Sequence, residues 1–275
     1  MKRTLLTLCL VLFAALGCYS NSAPKANNVK EGFVAIKGKD LIKPDGSKLF
    51  IMGTNLGNWL NPEGYMFKFT KTNSARFINE MFSQLVGPDF TAEFWKAFKD
   101  NYITRADIRF IKETGANTVR LPFNYKMFTD EDYMGLTTKQ DGFARIDTLV
   151  EWCRQEGLYL ILDMHDAPGG QTGDNIDDSY GYPWLFESEA SQKLYCEIWR
   201  KIAAHYKNEP VVLGYELLNE PIAPYFEKMA ELNGKLEGIY KKGVAAIREV
   251  DKNHIVLLGG AQWNGNKYCI SCFVC

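Results

Sequence analysis

The amino-acid sequence predicts an α/β fold: a (β/α)₈ TIM barrel, here incomplete, with about five β/α units behind a small N-terminal β-hairpin. Apolar segments of strand length alternate with longer segments of helical periodicity. Single helices between strands require parallel crossovers, which build either a doubly wound sheet or a barrel. Polar or aromatic residues follow every predicted strand, and the sequence has no Gly-x-Gly-x-x-Gly phosphate turn, so the barrel is favoured.

The composition is that of a globular domain. The 275 residues, 46% of them hydrophobic, can bury the core of one α/β domain. The 32 basic and 33 acidic residues are interspersed and leave a net charge of −1. The sequence has neither a basic stripe for nucleic acid nor a polybasic arm for an anionic membrane, so we expect no nucleic-acid partner.

The first residues are typical of an export signal. Lys2-Arg3 precedes an apolar run, Leu5–Leu16, that is too short to span a bilayer. The run ends in a sequence that resembles a bacterial lipobox, which predicts a lipoprotein signal at residues 1–18 and lipidation of Cys18. Residues 19–32, rich in Ser, Asn and Ala, are predicted to be a disordered tether.

This segment places the protein outside the cytoplasm. We expect a secreted or cell-envelope protein, anchored to a membrane only through a lipid on Cys18. Ordinary cleavage near Ser20–Ala23, which would leave no anchor, is the alternative.

The next segments predict a hairpin and a first core strand. Phe33–Ile36 and Lys39–Ile42 flank Gly38 and form the hairpin, which would close the bottom of the barrel. A turn at Pro44-Asp45-Gly46 then leads into Leu49–Met52, the first predicted core strand.

Four further strands, each preceded by a helix, complete the pattern. The helix Arg105–Thr114 begins with the capping pattern Thr104-x-x-Asp107 and stops at Gly115. The other predicted helices are Phe143–Glu156, Glu189–Lys207 and Leu236–Val250. The four strands are Thr118–Pro122, Leu158–Met164, Val211–Leu218 and His254–Leu258, and the domain is predicted to span residues 33–266.

The strand that begins at Val211 ends abruptly in Asn219, Glu220 and Pro221. Pro221 has no N–H for a sheet ladder and pushes Glu220 towards an extended or turn conformation. Ligands bind at the carboxyl ends of parallel strands, so this pair is a candidate for chemistry. The tripeptide alone leaves open a polar turn without function.

The cysteines do not form the pattern of a disulfide framework. Cys269-x-x-Cys272-x-x-Cys275 has the spacing of metal ligands but lacks a fourth ligand, so we expect no metal site and no cofactor. Residues 267–275 match neither a helix nor a barrel loop, and we interpret them as an aberrant Cys-rich tail from an out-of-frame or prematurely terminated reading.

Four motifs lie in chain order at the predicted strand ends: Asn-Leu-Gly-x-Trp-Leu from Asn55, Val-Arg-Leu-Pro from Val119, Asp-x-His-x-Ala-Pro-Gly-Gly from Asp163, and Leu-Leu-Asn-Glu-Pro from Leu217. Together they resemble family 5 glycoside hydrolases of the cellulase superfamily, over residues of roughly 33 to 265. The sequence is most similar to the exo-β-1,3-glucanase branch.

The resemblance implies a role for each matching residue. Glu220 would be the general acid/base and Asn219 the partner of the sugar 2-hydroxyl. Arg120 and His165 would surround the reactive sugar, and Glu63 would bind the terminal glucose. Gln171-Thr172-Gly173 replaces the Gln-Asn-Gly of the exo-glucanases, which bears on exo specificity.

The resemblance also implies a nucleophilic glutamate at the end of a seventh strand. The sequence after the fifth predicted strand has no counterpart, so we name no nucleophile and expect this truncated chain to be inactive. Retention needs two carboxyl groups about 5–5.5 Å apart, one of which keeps its proton through a raised pKa. Glu220 supplies one, and partial burial would raise its pKa.

Each companion residue has a structural alternative. Arg120 could simply pair with Glu216, and His165 could be a satisfied core histidine. Sugar rings pack on aromatic faces, and the candidate platforms are Trp59, Trp184 and Trp263, ahead of Tyr65 and Tyr182; all five could instead be loop anchors.

The resemblance therefore implies a retaining β-glycosidase that hydrolyses the O-glycosidic bonds of a β-glucan, either as a glucan 1,3-β-glucosidase or as an endoglucanase of the cellulase type. Its partner would be a β-linked oligo- or polysaccharide. The alternative is a catalytically dead carbohydrate-binding or vestigial protein.

Overall fold

A computed structural model of the protein describes residues 32–135 and 140–265. The described chain begins with a small antiparallel sheet of three strands in the order β1-β2-β3. The strands are β1 (Ala35–Lys37), β2 (Asp40–Ile42) and β3 (Lys48–Leu49). The predicted hairpin is thereby confirmed.

Five parallel strands form the main sheet, in the order β4-β5-β6-β7-β8. Sequential neighbours pair throughout, as in a (β/α)₈ barrel. The described residues therefore form five β/α units, the number that the sequence predicts. The strands are β4 (Gly53–Asn55), β5 (Thr118–Asn124), β6 (Tyr159–Asp166), β7 (Val212–Glu216) and β8 (Ile255–Leu257).

The first core strand differs from its prediction. Leu49–Met52 was expected in this position, but Leu49 ends β3 and pairs with Leu41 in the small sheet. The parallel strand starts at Gly53, whose Cβ position would lie 1.9 Å from the carbonyl oxygen of Thr118. Only a glycine permits so close an approach to β5.

Six helices of the described chain lie beside these strands. The predicted capping box at Thr104 is present, with Asp107 accepting from the Thr104 backbone N–H at 2.7 Å. The two helices α1 and α2 were not predicted from the sequence. The helices are α1 (Ala75–Val86), α2 (Pro88–Asn101), α3 (Arg105–Glu113), α4 (Gln140–Glu156), α5 (Glu189–Tyr206) and α6 (Met229–Arg248).

The small sheet covers one end of the parallel sheet's inner face. Val34 and Leu49 pack with a separate apolar cluster of four strand residues. These are Tyr159, Ile161, Leu213 and Ile255. The contact agrees with the prediction that the hairpin closes the bottom of the barrel. Within the described residues, β4 and β8 form the two edges of the main sheet.

Several predictions concern residues that lie outside this description. They are the lipoprotein signal at residues 1–18, the lipid on Cys18, most of the tether, and the tail at residues 267–275. All remain predictions. Of the helices between residues 32 and 265 that the structure describes, none has the length and apolar character needed to cross a bilayer.

Gly214 tests the packing of β7 against β8. A Cβ added there would lie 2.4 Å from the Ile255 carbonyl oxygen and 3.0 Å from Leu257, so the strands must separate. We expect Gly214→Ala to lower the free energy of unfolding by about 1–3 kcal/mol in urea denaturation. Gly238→Ala is the matched control, because it is exposed on α6 with nothing within 4 Å. There alanine should raise stability by about 0.5–1 kcal/mol, and equal midpoints for the two variants would contradict the packing argument.

Candidate active site

Arg120 joins three neighbouring strands through its guanidinium group. Its Nε and Nη2 donate to Glu216 on β7 at 2.7 and 2.9 Å, and Nη2 lies 3.0 Å from the Asp163 carboxylate on β6. Burial lowers the pKa of Arg120, but the two carboxylates outweigh this and raise it above its ordinary value. Burial also raises the pKa of Glu216, against the opposing effect of Arg120. The pairing of Arg120 with Glu216, which the sequence offered as a structural alternative, is present.

His165 lies between two carboxylates. Its Nδ1 is 2.6 Å from Asp163 Oδ2, and its Nε2 is 3.6 Å from Glu63 Oε1. Burial lowers the pKa of His165, but Asp163 and Glu63 more than compensate and raise it to about 10. Both ring nitrogens therefore carry a proton at neutral pH; Nδ1 donates to Asp163, and Glu63 is an ion-pair partner on the Nε2 side.

Asn219 lies against both of these cations. Its Oδ1 accepts from Arg120 Nη2 at 2.9 Å, which fixes the orientation of the amide. Its Nδ2 lies 3.3 Å from His165 Nε2. The amide nitrogen carries two hydrogens, so at least one of them stays available for a ligand. The backbone N–H of Asn219 donates to Met164, which joins β7 to β6 at the site.

Glu220 follows in an unusual backbone conformation. Its φ is 43°, in the left-handed region that costs a non-glycine residue free energy. The side chain is exposed, so the partial burial expected for the acid is not observed in the described residues. Glu220 nevertheless lies close to the other groups, since its charge contributes to raising the pKa of both Arg120 and Tyr65.

Tyr65 lies near Glu63 and Glu220, although the sequence ranked it behind the three tryptophans as a sugar-binding ring. Burial raises the pKa of its phenol, and the charges of Glu63 and Glu220 raise it further. The ring is 63% exposed, beside a buried Glu63. Tyr65 therefore lies near the candidate acid, with an accessible ring face.

The loop after β6 is tied to both β6 and β7 by Gln171. Its Nε2 donates to the carbonyl oxygens of His165 at 2.6 Å and Asn219 at 2.9 Å. Its Oε1 accepts from the N–H of Ala167 at 3.0 Å. A fully buried amide thus holds the backbone of two candidate catalytic residues in place.

The three tryptophans predicted to bind sugar have different environments. Trp59 is only 2% exposed, and its Nε1 donates to the Lys99 carbonyl oxygen at 2.8 Å. Its expected role as a stacking platform is corrected, because the ring is part of the core. Trp184 and Trp263 are 50% and 39% exposed, so each presents ring surface.

The sequence also matches a known family along most of its length. The model of the family described as Cellulase (glycosyl hydrolase family 5) matches residues 70–272, more than half of the chain. The chain belongs to glycoside hydrolase family 5. The resemblance of its four motifs to this family is thereby confirmed.

Curated relatives support the same assignment. A beta-xylosidase of Phanerodontia chrysosporium is 31% identical, over 83% of this chain and 46% of the relative. A glucan 1,3-beta-glucosidase of Candida oleophila is 32% identical, over 73% of this chain and 48% of the relative. The chain thus spans about half the length of the curated relatives it matches.

Solved structures agree on the fold. The rutinosidase from Aspergillus niger superposes with a TM-score of 0.63 at 19% identity, over 76% of this chain and 62% of that one. At this identity the likeness shows the fold alone. It confirms the TIM barrel.

The family 5 chain brings together five of its predicted site residues: Arg120, His165, Asn219, Glu220 and Glu63. The sequence reasoning assigned no role to Asp163, which contacts both cations. A signal was present, because residues two apart on a strand share a face and Asp163 precedes His165 by two.

The elevated pKa of His165 predicts a pH dependence. A raised folded-state pKa stabilises the fold fully below the ordinary value of 6.5, and this contribution is lost as pH rises through about 10. Asp163→Asn removes the largest cause of the rise, so we expect the His165 Cε1–H resonance to titrate at lower pH in NMR. Urea denaturation at pH 6 and pH 10 should show a smaller difference for the variant. An unchanged titration would show that Asp163 does not hold the proton.

Proposed function

We propose that the protein is a retaining β-glycosidase that hydrolyses a β-glucan in polysaccharide catabolism. The observation that carries the proposal is the Asn219–Glu220 pair at the end of β7, beside Arg120 and His165, in a family 5 chain. One relative is named a glucan 1,3-beta-glucosidase, which supports a β-linked glucan as the substrate. Glu220 is the general acid/base.

Glu220 transfers a proton in each of the two steps of the proposed reaction. Its carboxyl group donates a proton to the glycosidic oxygen as the bond to the anomeric carbon breaks, and later removes one from the attacking water. A second carboxylate forms and then releases the glycosyl-enzyme ester. None of the residues within 32–135 and 140–265 is assigned that role.

The buried network supplies orientation and charge. Asn219 Nδ2 is a free donor for the sugar 2-hydroxyl, a hydrogen bond that strengthens as positive charge develops on the ring. Arg120 holds that amide, and the His165 imidazolium holds Glu63 for a hydroxyl of the sugar. Trp263 and Tyr65 present exposed rings for stacking.

A second candidate is a carbohydrate-binding protein without catalysis. It is favoured by the exposed side chain of Glu220, which lacks the burial expected of a catalytic acid. Assays for hydrolysis and for binding of laminari- and cello-oligosaccharides separate the two candidates. In a chain that also supplies the second carboxylate, binding without turnover would overturn the hydrolase proposal, and turnover with net retention of the anomeric configuration would support it.

The signal-like N-terminus supports a proposed location in the cell envelope, with a lipid on Cys18 as the anchor. We expect Cys18→Ser to move the protein from the membrane fraction to the soluble fraction. Mass spectrometry of the mature N-terminus checks the modification directly. An unmodified N-terminus beyond residue 18 would contradict the anchor and leave ordinary secretion.

Glu220→Gln tests the assignment of the acid. In a chain that also supplies the second carboxylate, loss of general acid catalysis should reduce hydrolysis of oligosaccharides by about 10²–10⁴-fold, and reduce it far less for an activated aryl β-glucoside, whose aryl group departs without a proton. Glu227→Gln is the matched control, because this exposed glutamate lies on the same segment. Steady-state kinetics on both substrates measures the effect, and equal losses on both would rule out Glu220 as the acid.

A further inference from the structure

A second pocket lies beside the loop that follows β6. Its volume is about 470 Å³, within the range of small-molecule sites. Three aromatic side chains, Tyr125, Tyr180 and Trp184, contribute to its wall. The described lining includes no residue of the Arg120–His165–Asn219 cluster. The pocket is therefore a separate feature of the molecule.

Two of its aromatic rings are open to solvent. Tyr180 is 71% exposed and Trp184 is 50% exposed. Trp184 contacts Tyr182 with ring centroids 4.5 Å apart, and Tyr180 lies 3.9 Å from the guanidinium carbon of Arg76. Both rings are thus held by neighbours while much of their surface stays accessible. Exposed, supported rings suit the apolar face of a pyranose.

The charges around the pocket are of both signs. Lys126 Nζ lies 3.1 Å from Asp178 and 3.9 Å from Glu131, and Arg76 adds a second positive charge. A charged ligand would therefore meet attraction and repulsion together. A neutral ligand with many hydroxyl groups can accept from the cations and donate to the carboxylates.

Arg76 has hydrogen-bonding capacity left over. Its Nε and Nη2 have no hydrogen-bond partner among the described residues, and its guanidinium lies over the rings of Phe77 and Tyr180 at 4.1 and 3.9 Å. Buried donors usually have partners, so this arginine is an exception that a ligand would explain. The stacked rings hold the group in place.

The pocket wall is built in a costly backbone conformation. Asp178 and Tyr180 have φ values of 61° and 57°, both in the left-handed region. Asp178 Oδ1 accepts a hydrogen bond from the backbone N–H of Arg76 at 3.1 Å, which holds this turn against α1. Strained turns that are firmly held occur preferentially at ligand sites.

The same loop also contacts residues of the active site. Asp177 Oδ2 accepts from the backbone N–H of Gln171 at 2.8 Å, and the Gln171 side chain reaches His165 and Asn219. Gln171 therefore connects Asp177 in the pocket wall to His165 and Asn219 of the catalytic cluster.

We propose that this pocket is a second carbohydrate site, which binds a neutral glycosyl unit with Tyr180 and Trp184 as stacking faces and Arg76 as a donor. The inference rests on the proposed function only for the identity of the glycan. It would let the protein hold a polysaccharide at a point separate from the bond-cleaving residues.

The test compares binding and turnover in the full chain. Calorimetric titration uses laminarihexaose and cellohexaose, and the variant is Tyr180→Ala combined with Trp184→Ala. We expect the affinity for the bound hexaose to fall about tenfold, since each lost aromatic contact contributes modestly. Phe110→Ala, an equally exposed aromatic on α3, is the matched control and should not change it.

Two further readouts keep the outcomes apart. Hexaose should shift the tryptophan fluorescence of the unsubstituted protein, and Trp184→Phe should reduce this shift, while the contribution of the exposed Trp263 remains. Turnover of an aryl β-glucoside, which carries one sugar, is measured in the same proteins as the second readout. If no glycoside is hydrolysed but hexaose binding still depends on Tyr180 and Trp184, the proposed function fails and the second site stands.

The opposite results would overturn the inference. Hexaose affinity unchanged in the folded double variant would remove the site, even if hydrolysis is normal. Tighter binding of an acidic oligogalacturonide than of either neutral hexaose would show that Arg76 recognises a carboxylate, and the neutral assignment would be wrong.

Discussion

The arrangement of the site depends on one buried cation. Arg120 on β5 bonds to Glu216 on β7 and contacts Asp163 on β6, so a single guanidinium sets the relative position of three strands. The same group fixes the Asn219 amide. Removing one partner of such a network leaves an uncompensated buried charge, which is far more costly than the net value of the pair. The residues that hold the three strands together thus also fix the orientation of the Asn219 amide beside the candidate acid.

The loop after β6 also connects β6 to β7, through a backbone-binding side chain. Gln171 donates to backbone carbonyl oxygens at the ends of both β6 and β7, while its own N–H donates to Asp177. Gly170 allows this turn, because a Cβ there would lie 2.2 Å from Ser179. The position of His165 is therefore set from two directions, by its carboxylate partners and by the amide that binds its carbonyl group.

The sequence predicted the features that depend on local signals. The cap at Thr104 and the apolar strand from Val211 both carry their own patterns, and so does the Asn219–Glu220 pair at a strand end. It did not predict that Trp59 is buried or that Glu220 is exposed. Burial of a single side chain is decided by distant segments that pack over it, such as α2, whose Lys99 accepts the hydrogen bond of the indole. The sequence around Trp59 has no pattern that predicts this contact.

The left-handed backbone at Glu220 has an evolutionary consequence. A glycine there would adopt a φ of 43° at little cost, whereas glutamate holds it against a penalty of about 1–2 kcal/mol. Selection for stability alone would favour glycine at this position, whereas the proposed acid/base role requires a carboxylate. A related protein that does not need the acid would become more stable through this single replacement. On the proposed function, the residue at this position is therefore a marker of whether a relative retains the acid.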